Sequence, residues 1–186
     1  MSAAGSARAQ PTATAPDQTF FAAPTRVRLV AGPWTRLTRL GDGDVALMAG
    51  GGGGFLVLDH LLLMGYTCSL SGRTTPGDPA RTVEVTNSGG QVAWVVAPAA
   101  RLHVNVGALI GVTSAKVSAM ASPNDNTTLS FVTLSPYAEA EVSLYPGLKL
   151  FAGLGYRVPF GADASAGVDR AYLRGPELEF GFRMGG

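Results

Sequence analysis

Near the end of the chain, Leu178, Phe180, Phe182 and Met184 alternate one by one with Glu177, Glu179, Gly181 and Arg183. A β-strand turns successive side chains to opposite faces, so this segment has one oily face and one charged face. Glycine shares the charged face. Charge and glycine together point to a crowded interior on that side and leave the aliphatic side outermost. Few folds tolerate such an inversion.

The alternation recurs upstream. Leu102, Val104, Val106, Ala108, Ile110 and Val112 oppose His103, Asn105, Gly107, Gly111 and Thr113. Val132, Leu134, Ala138, Ala140, Val142 and Leu144 oppose Thr133, Ser135, Tyr137, Glu139 and Glu141. Leu148, Leu150, Ala152, Leu154, Tyr156 and Val158 oppose Lys149, Gly153, Gly155 and Arg157. The first strand is weaker, with Arg26 and Arg28 opposite Val27 and Leu29, and the segment containing Trp94 is too apolar to orient.

Eight strands are expected: Arg26–Thr38, Asp44–Val57, His60–Leu70, Gly90–Ala97, Leu102–Val117, Thr128–Leu144, Leu148–Phe160 and Tyr172–Met184. Several exceed the usual globular strand of about five or six residues and suit a membrane crossing of about 9–11. Leu58-Asp59, Pro98–Arg101 and Tyr145-Pro146-Gly147 read as tight turns. Ser71–Gly89, Ser118–Thr127 and Gly161–Ala171 read as longer polar loops, and the short Leu40-Gly41-Asp42-Gly43 belongs with them by order. Alternating short and long connections fit an all-β, eight-stranded, antiparallel up-and-down transmembrane β-barrel.

Composition agrees. Charged residues make up 15% of the 186 residues against 46% hydrophobic, where a soluble domain carries about 25% charged. No apolar run reaches the ~20 residues of a transmembrane helix, so a membrane crossing requires a closed barrel. A net charge of +1 without a basic run gives no basis for nucleic-acid binding.

Residues 1–24 read as a disordered lead or signal-peptide remnant, with Ala7-Arg8-Ala9 resembling a cleavage site before Gln10; residues 25–186 form the barrel. Two features resist the scheme. Pro136 removes a ladder hydrogen bond inside the sixth strand and calls for a bulge or local break. The run Gly50–Gly54 weakens the second strand, and is expected where the wall passes close to bulky interior groups.

Gly50–Gly54 followed by Phe55, the turn at Asp59-His60, and the apolar strand carrying Gly65-Tyr66 form a pattern. It continues through Ala108-Leu109-Ile110-Gly111, Leu154-Gly155-Tyr156-Arg157 and Leu178-Glu179-Phe180-Gly181-Phe182. In these segments the chain resembles small bacterial outer-membrane β-barrel proteins of largely unassigned role. The resemblance implies an eight-stranded barrel in the bacterial outer membrane and supplies no catalytic residues. Such barrels commonly end on an aromatic residue, whereas here Phe182 is followed by Arg183, Met184, Gly185 and Gly186.

The candidate site is the expected interior charge set: Arg26, Arg28, Glu139, Glu141, Arg157, Glu177, Glu179 and Arg183. Eight strands leave a lumen just wide enough for side chains, and buried ions must pair. These four arginines and four glutamates are expected to form a salt-bridged plug, with Glu177 and Glu179 meeting Arg28 where the first and last strands join. Trp34, Trp94, Tyr145, Tyr156, Phe160 and Tyr172 are expected in interfacial girdles. Cys68, with Tyr66 and Leu70, is expected to face lipid.

No catalytic residue, metal site or cofactor is expected. The carboxylate pairs lack a cleft between them, and His60 and His103 read as a turn residue and an interior hydrogen-bond donor rather than ligands. The glycine run lacks the Gly-Lys-Ser/Thr ending of a phosphate loop. The expected function is non-enzymatic, structural or surface contact through the outer loops, Ser71–Gly89 foremost. The expected partners are membrane lipid and an unidentified outer-loop partner, with the chain a monomer. Two rivals stand beside it: a soluble lipocalin-like barrel carrying a small apolar ligand, and a membrane-embedded lipid-modifying enzyme.

Overall fold

A computed structural model of the chain describes residues 26–40, 44–70, 81–119, 122–161 and 174–185. Eight strands follow one another around a closed antiparallel ring: β1 (Val27–Leu40), β2 (Asp44–Val57), β3 (Leu61–Leu70), β4 (Arg81–Val96), β5 (Leu102–Ala119), β6 (Ser122–Tyr145), β7 (Leu148–Phe160) and β8 (Gly175–Gly185). β1 pairs with β8 to complete the ring, Arg36 standing opposite Glu179. Closure leaves no sheet edge unpaired, the condition lipid imposes on a β structure.

The short connections share one end. Leu58 and Asp59 both adopt left-handed conformations, φ 52° and 62°, which suits a hairpin turn of the primed type. Gly147, φ 78°, turns β6 into β7. At the other end the expected loops are shorter than the sequence suggests. Residues 81–89 of the expected loop Ser71–Gly89 belong to β4. Within Ser118–Thr127, residues 118–119 extend β5 and 122–127 extend β6, leaving only Met120 and Ala121 between the strands. Polar composition alone does not separate strand from loop there. The lead 1–24, the segment 71–80 and most of Gly161–Ala171, with Tyr172, lie outside the described residues.

The outer surface is oily. Leu154 is 69% exposed, Leu102 62% and Trp94 55%. Toward the loop end this surface changes character along register-matched partners. Ser69, Thr86, Ser114 and Ser130 stand side by side across β3–β6, with the Ser114 and Ser130 hydroxyls 3.2 Å apart. That row of hydroxyls marks a water boundary. From Leu102 to Val112 the apolar run on β5 spans about 23 Å along the barrel axis, taking ~3.3 Å per residue and a tilt near 45°. This matches the ~25 Å apolar band of a membrane barrel.

The interior is sided. β2, β3 and β4 turn Ala46, Met48, Leu56, Leu62, Met64, Tyr66, Cys68, Val85, Ala93 and Val95 inward. Two corrections follow. Cys68 and Tyr66 line the lumen instead of facing lipid, and Trp34 is buried inside, not in a girdle; its ring centroid lies 5.9 Å from that of Tyr66. The expectation failed because β3 is apolar on both faces at its turn end, so polarity there carries no information about facing.

Both irregularities have local explanations. A Cβ on Gly52 would collide with the Gly65 carbonyl oxygen and stand 2.8 Å from Trp34 Cη2, and one on Gly50 or Gly54 would meet the β3 backbone, so the run lets β2 pass close to β3 and makes room for the indole at Gly52. Pro136 pairs normally with Ala108 of β5. On its β7 side the ladder skips from Leu134–Val158 to Tyr137–Gly155 without a change of register. The missing N–H interrupts one ladder and produces no bulge at Pro136.

Candidate functional site

The charges gather against β1 and β5–β8. Nearest the loop end, Arg36 places Nη2 2.5 Å from Glu179 Oε1 and Nη1 3.6 Å from Glu177 Oε1. Arg157 reaches the same Glu177 oxygen at 3.6 Å. All four side chains are almost wholly removed from solvent. The Arg36 guanidinium also lies over the Tyr66 ring, 5.9 Å from its centroid.

Toward the short-turn end a second cluster forms around Arg183. Its Nη1 lies 2.9 Å from Glu139 Oε1 and pairs closely with Glu141, while its guanidinium stacks 4.7 Å above the Phe151 ring. Asn105 donates to Glu139 at 2.7 Å. Glu141 is met by Lys149 Nζ at 2.9 Å and by His103 Nε2 at 2.8 Å. The glycines on this face are needed: a Cβ on Gly153 would stand 2.7 Å from Glu139 Cβ.

Between the clusters runs a neutral network. Tyr66 donates to Asn87 Oδ1 at 2.7 Å, and Asn87 Nδ2 donates to the Thr113 and Thr133 hydroxyls at 2.8 and 3.0 Å. Gln91 donates to the Tyr137 hydroxyl at 2.5 Å. Such bonds matter because a buried polar atom without a partner costs about 1–3 kcal/mol.

Six residues of the expected interior set lie in these clusters: Glu139, Glu141, Arg157, Glu177, Glu179 and Arg183. Arg26 and Arg28 do not, and the expected meeting of Arg28 with Glu177 and Glu179 is not made. Both arginines point to the inner side of β1 but stand at its turn-end mouth, before the walls enclose them. There they reach Asp59 at 3.9 and 3.0 Å. Arg36 takes the seam position, because the β1–β8 register sets it, not Arg28, beside Glu179.

Arg36 and Lys149 were missed as members of the set. A signal for Arg36 was present: it shares parity with Arg26 and Arg28 in one continuous strand, so extending the alternation places it inside. With these two included, Arg36, Arg157, Arg183 and Lys149 stand against Glu139, Glu141, Glu177 and Glu179.

His60 sits in the β2–β3 turn, stacked on Trp94 at 5.3 Å, with Nδ1 3.2 Å from the Val95 carbonyl oxygen. Among the described residues, no group of His, Cys, Asp and Glu is placed to hold a metal ion. The lipocalin-like rival needs an apolar lumen and a charged exterior, the reverse of this wall.

A closed eight-stranded antiparallel ring, oily outside and ion-paired within, is the fold of the small outer-membrane β-barrels. No sequence-family model and no curated protein sequence matches the chain. Among solved structures it is similar to Neisserial surface protein A, at 13% identity and TM-score 0.63 over 85% of this chain and 96% of that one. The N-terminal β-barrel domain of Pseudomonas aeruginosa OprF matches at 11% identity and TM-score 0.60, over 88% and 100%. Ail, the attachment invasion locus protein of Yersinia pestis, in complex with the heparin analogue sucrose octasulfate, matches at 10% identity and TM-score 0.57, over 87% and 99%. At these identities the likeness is one of fold.

Proposed function

We propose that the protein is a non-enzymatic, monomeric barrel of the bacterial outer membrane, closed to ion flow, that holds its loop-end rim at the cell surface for structural or contact roles. The observation that carries this reading is the balanced interior set of four cations and four carboxylates inside an exposed apolar belt. Desolvated ions that grip one another within the lumen support a barrel closed to ion flow. The apolar cluster of Met48, Cys68, Val85, Ala115 and Phe131 narrows it further toward the loop end.

The rim supplies the contact surface. Beyond the hydroxyl row, β4–β6 carry Glu84, Lys116 and Thr128 outward. Rigid strands bring these groups clear of the apolar belt, and connections on such a scaffold are where binding groups tend to accumulate.

Cell fractionation, electrophoresis with and without boiling, and planar-bilayer recording test the reading together. The protein is expected in the outer-membrane fraction, with a mobility that shifts on boiling and without steady conductance. Sustained, large single-channel openings from the purified barrel would remove the closed-lumen claim.

A further inference from the structure

At the short-turn mouth the lumen widens into a cavity of about 370 Å³ lined by the charged Arg26, Arg28, Asp59 and Lys149 together with His103. A second hollow of about 380 Å³ shares Arg28 and Lys149 with it and passes over the β6–β7 turn to Leu144 and Tyr145 on the outer wall. The two form a groove from the short-turn mouth to the lipid-facing rim.

The charges of this vestibule do not cancel. Asp59 serves both Arg26 and Arg28. The nearest other carboxylate, Glu141, lies deeper and is already met by Arg183, Lys149 and His103. Arg26 and Arg28 therefore share one carboxylate at a water-accessible hollow, a local excess of one positive charge, and Lys149, already paired with Glu141, lines the same hollow with N–H donors to spare. The arginine side chains are 69% and 44% exposed, open to a ligand from solution. In the enclosed clusters the cations, Lys149 among them, are matched by carboxylates, so the local excess is the one that Arg26 and Arg28 carry over Asp59.

We propose that this vestibule binds a phosphate ester, gripped by the guanidinium forks of Arg26 and Arg28 and the ammonium of Lys149. Arginine forks suit tetrahedral oxyanions through paired N–H donors, and lysine adds a point charge. Two sources present that chemistry. One is a soluble phosphomonoester entering the mouth. The other is a phospholipid headgroup reaching over the β6–β7 turn, its acyl chains lying along Leu144 and Tyr145.

Two measurements on the intact barrel in maltoside detergent separate them. The first follows ³¹P line broadening of glycerol 3-phosphate with increasing barrel. The second is native mass spectrometry after incubation with phosphatidylglycerol or, as a matched control, a neutral diacylglycerol. Each is repeated with Arg26→Gln/Arg28→Gln, whose substitutions lie outside the enclosed clusters; a boil-dependent mobility shift verifies that the variant folds. Binding of the soluble ester that weakens by about tenfold or more in the folded variant, and also with added salt, supports a site for free esters. Retention of phosphatidylglycerol but not diacylglycerol, lost in the variant, supports a headgroup site. Binding in neither arm, or binding that the folded variant leaves unchanged, overturns the proposal. The soluble arm does not depend on where the barrel resides in the cell, so its outcome stands apart from the fractionation test.

Discussion

Arg36 and Glu179 face each other across the seam between β1 and β8, with Nη2 2.5 Å from Oε1 and both side chains buried. Removing one member of such a pair strands the other's charge. Arg36→Met is therefore expected to lower unfolding stability by about 3–5 kcal/mol. The double variant Arg36→Met/Glu179→Met should recover part of that loss. Denaturant titration in detergent, read by the mobility of unboiled samples, gives both numbers; a single-variant loss below about 1 kcal/mol would place the pair in solvent-like surroundings.

Adjacent glycines of β2 should respond oppositely to alanine. A Cβ on Gly52 would collide with the Gly65 carbonyl oxygen and meet the Trp34 ring at 2.8 Å, whereas one on Gly53 meets nothing nearer than Ala31 Cβ at 3.6 Å. Gly52→Ala is expected to cost about 1–3 kcal/mol through overpacking, and Gly53→Ala to stay within about 0.5 kcal/mol. Equal losses at both positions would contradict the close packing of Gly52 against β3 and the indole.

The facing of β3 can be read by thiol chemistry. Cys68 is 2% exposed and packs with Met48, Val85 and Phe131; Thr67 is exposed and shares a 2.7 Å hydroxyl contact with Ser88. A bulky, membrane-impermeant maleimide should leave folded protein unlabelled and react only after unfolding. Ser69→Cys, on the same outward face as Thr67 and at the water boundary, should label while folded in a Cys68→Ser background. The reverse pattern would mean a one-residue slip, which turns every side chain of a strand to the other face.

Charge placed on the outer wall should be penalised according to height. Val106→Arg, in the middle of the apolar belt, is expected to cost about 2–4 kcal/mol in a lipid bilayer, and Ser114→Arg about 0–1 kcal/mol. Equilibrium unfolding from liposomes measures both. Similar costs would move the water boundary away from the hydroxyl row of Ser69, Thr86, Ser114 and Ser130.

The legible part of the fold lay where the wall separates ions from hydrocarbon. β6, β7 and β8 carry glutamate or arginine inward and aliphatic residues outward, so strict alternation revealed facing, span and most of the charge set. β3 and β4 pack Leu62, Met64, Tyr66, Ala93 and Val95 against the interior of the opposite half. Two contrasting solvents write a pattern; two apolar surroundings do not. The strand extensions of β4, β5 and β6 were hidden because polar runs without apolar alternation look like loop. Arg36 was recoverable from parity alone. Lys149 was placed on the charged face, but its contact with Glu141 depends on register between strands, which a single sequence does not state.

Ring closure through β1 and β8 also dictates an order of events. The partner for the free edge of β1 is the eighth strand to leave the ribosome, so each partial chain carries bare N–H and C=O groups along two margins. Hydrocarbon offers those groups nothing. A half-made wall cannot wait inside the bilayer, and translation through β8 must precede entry.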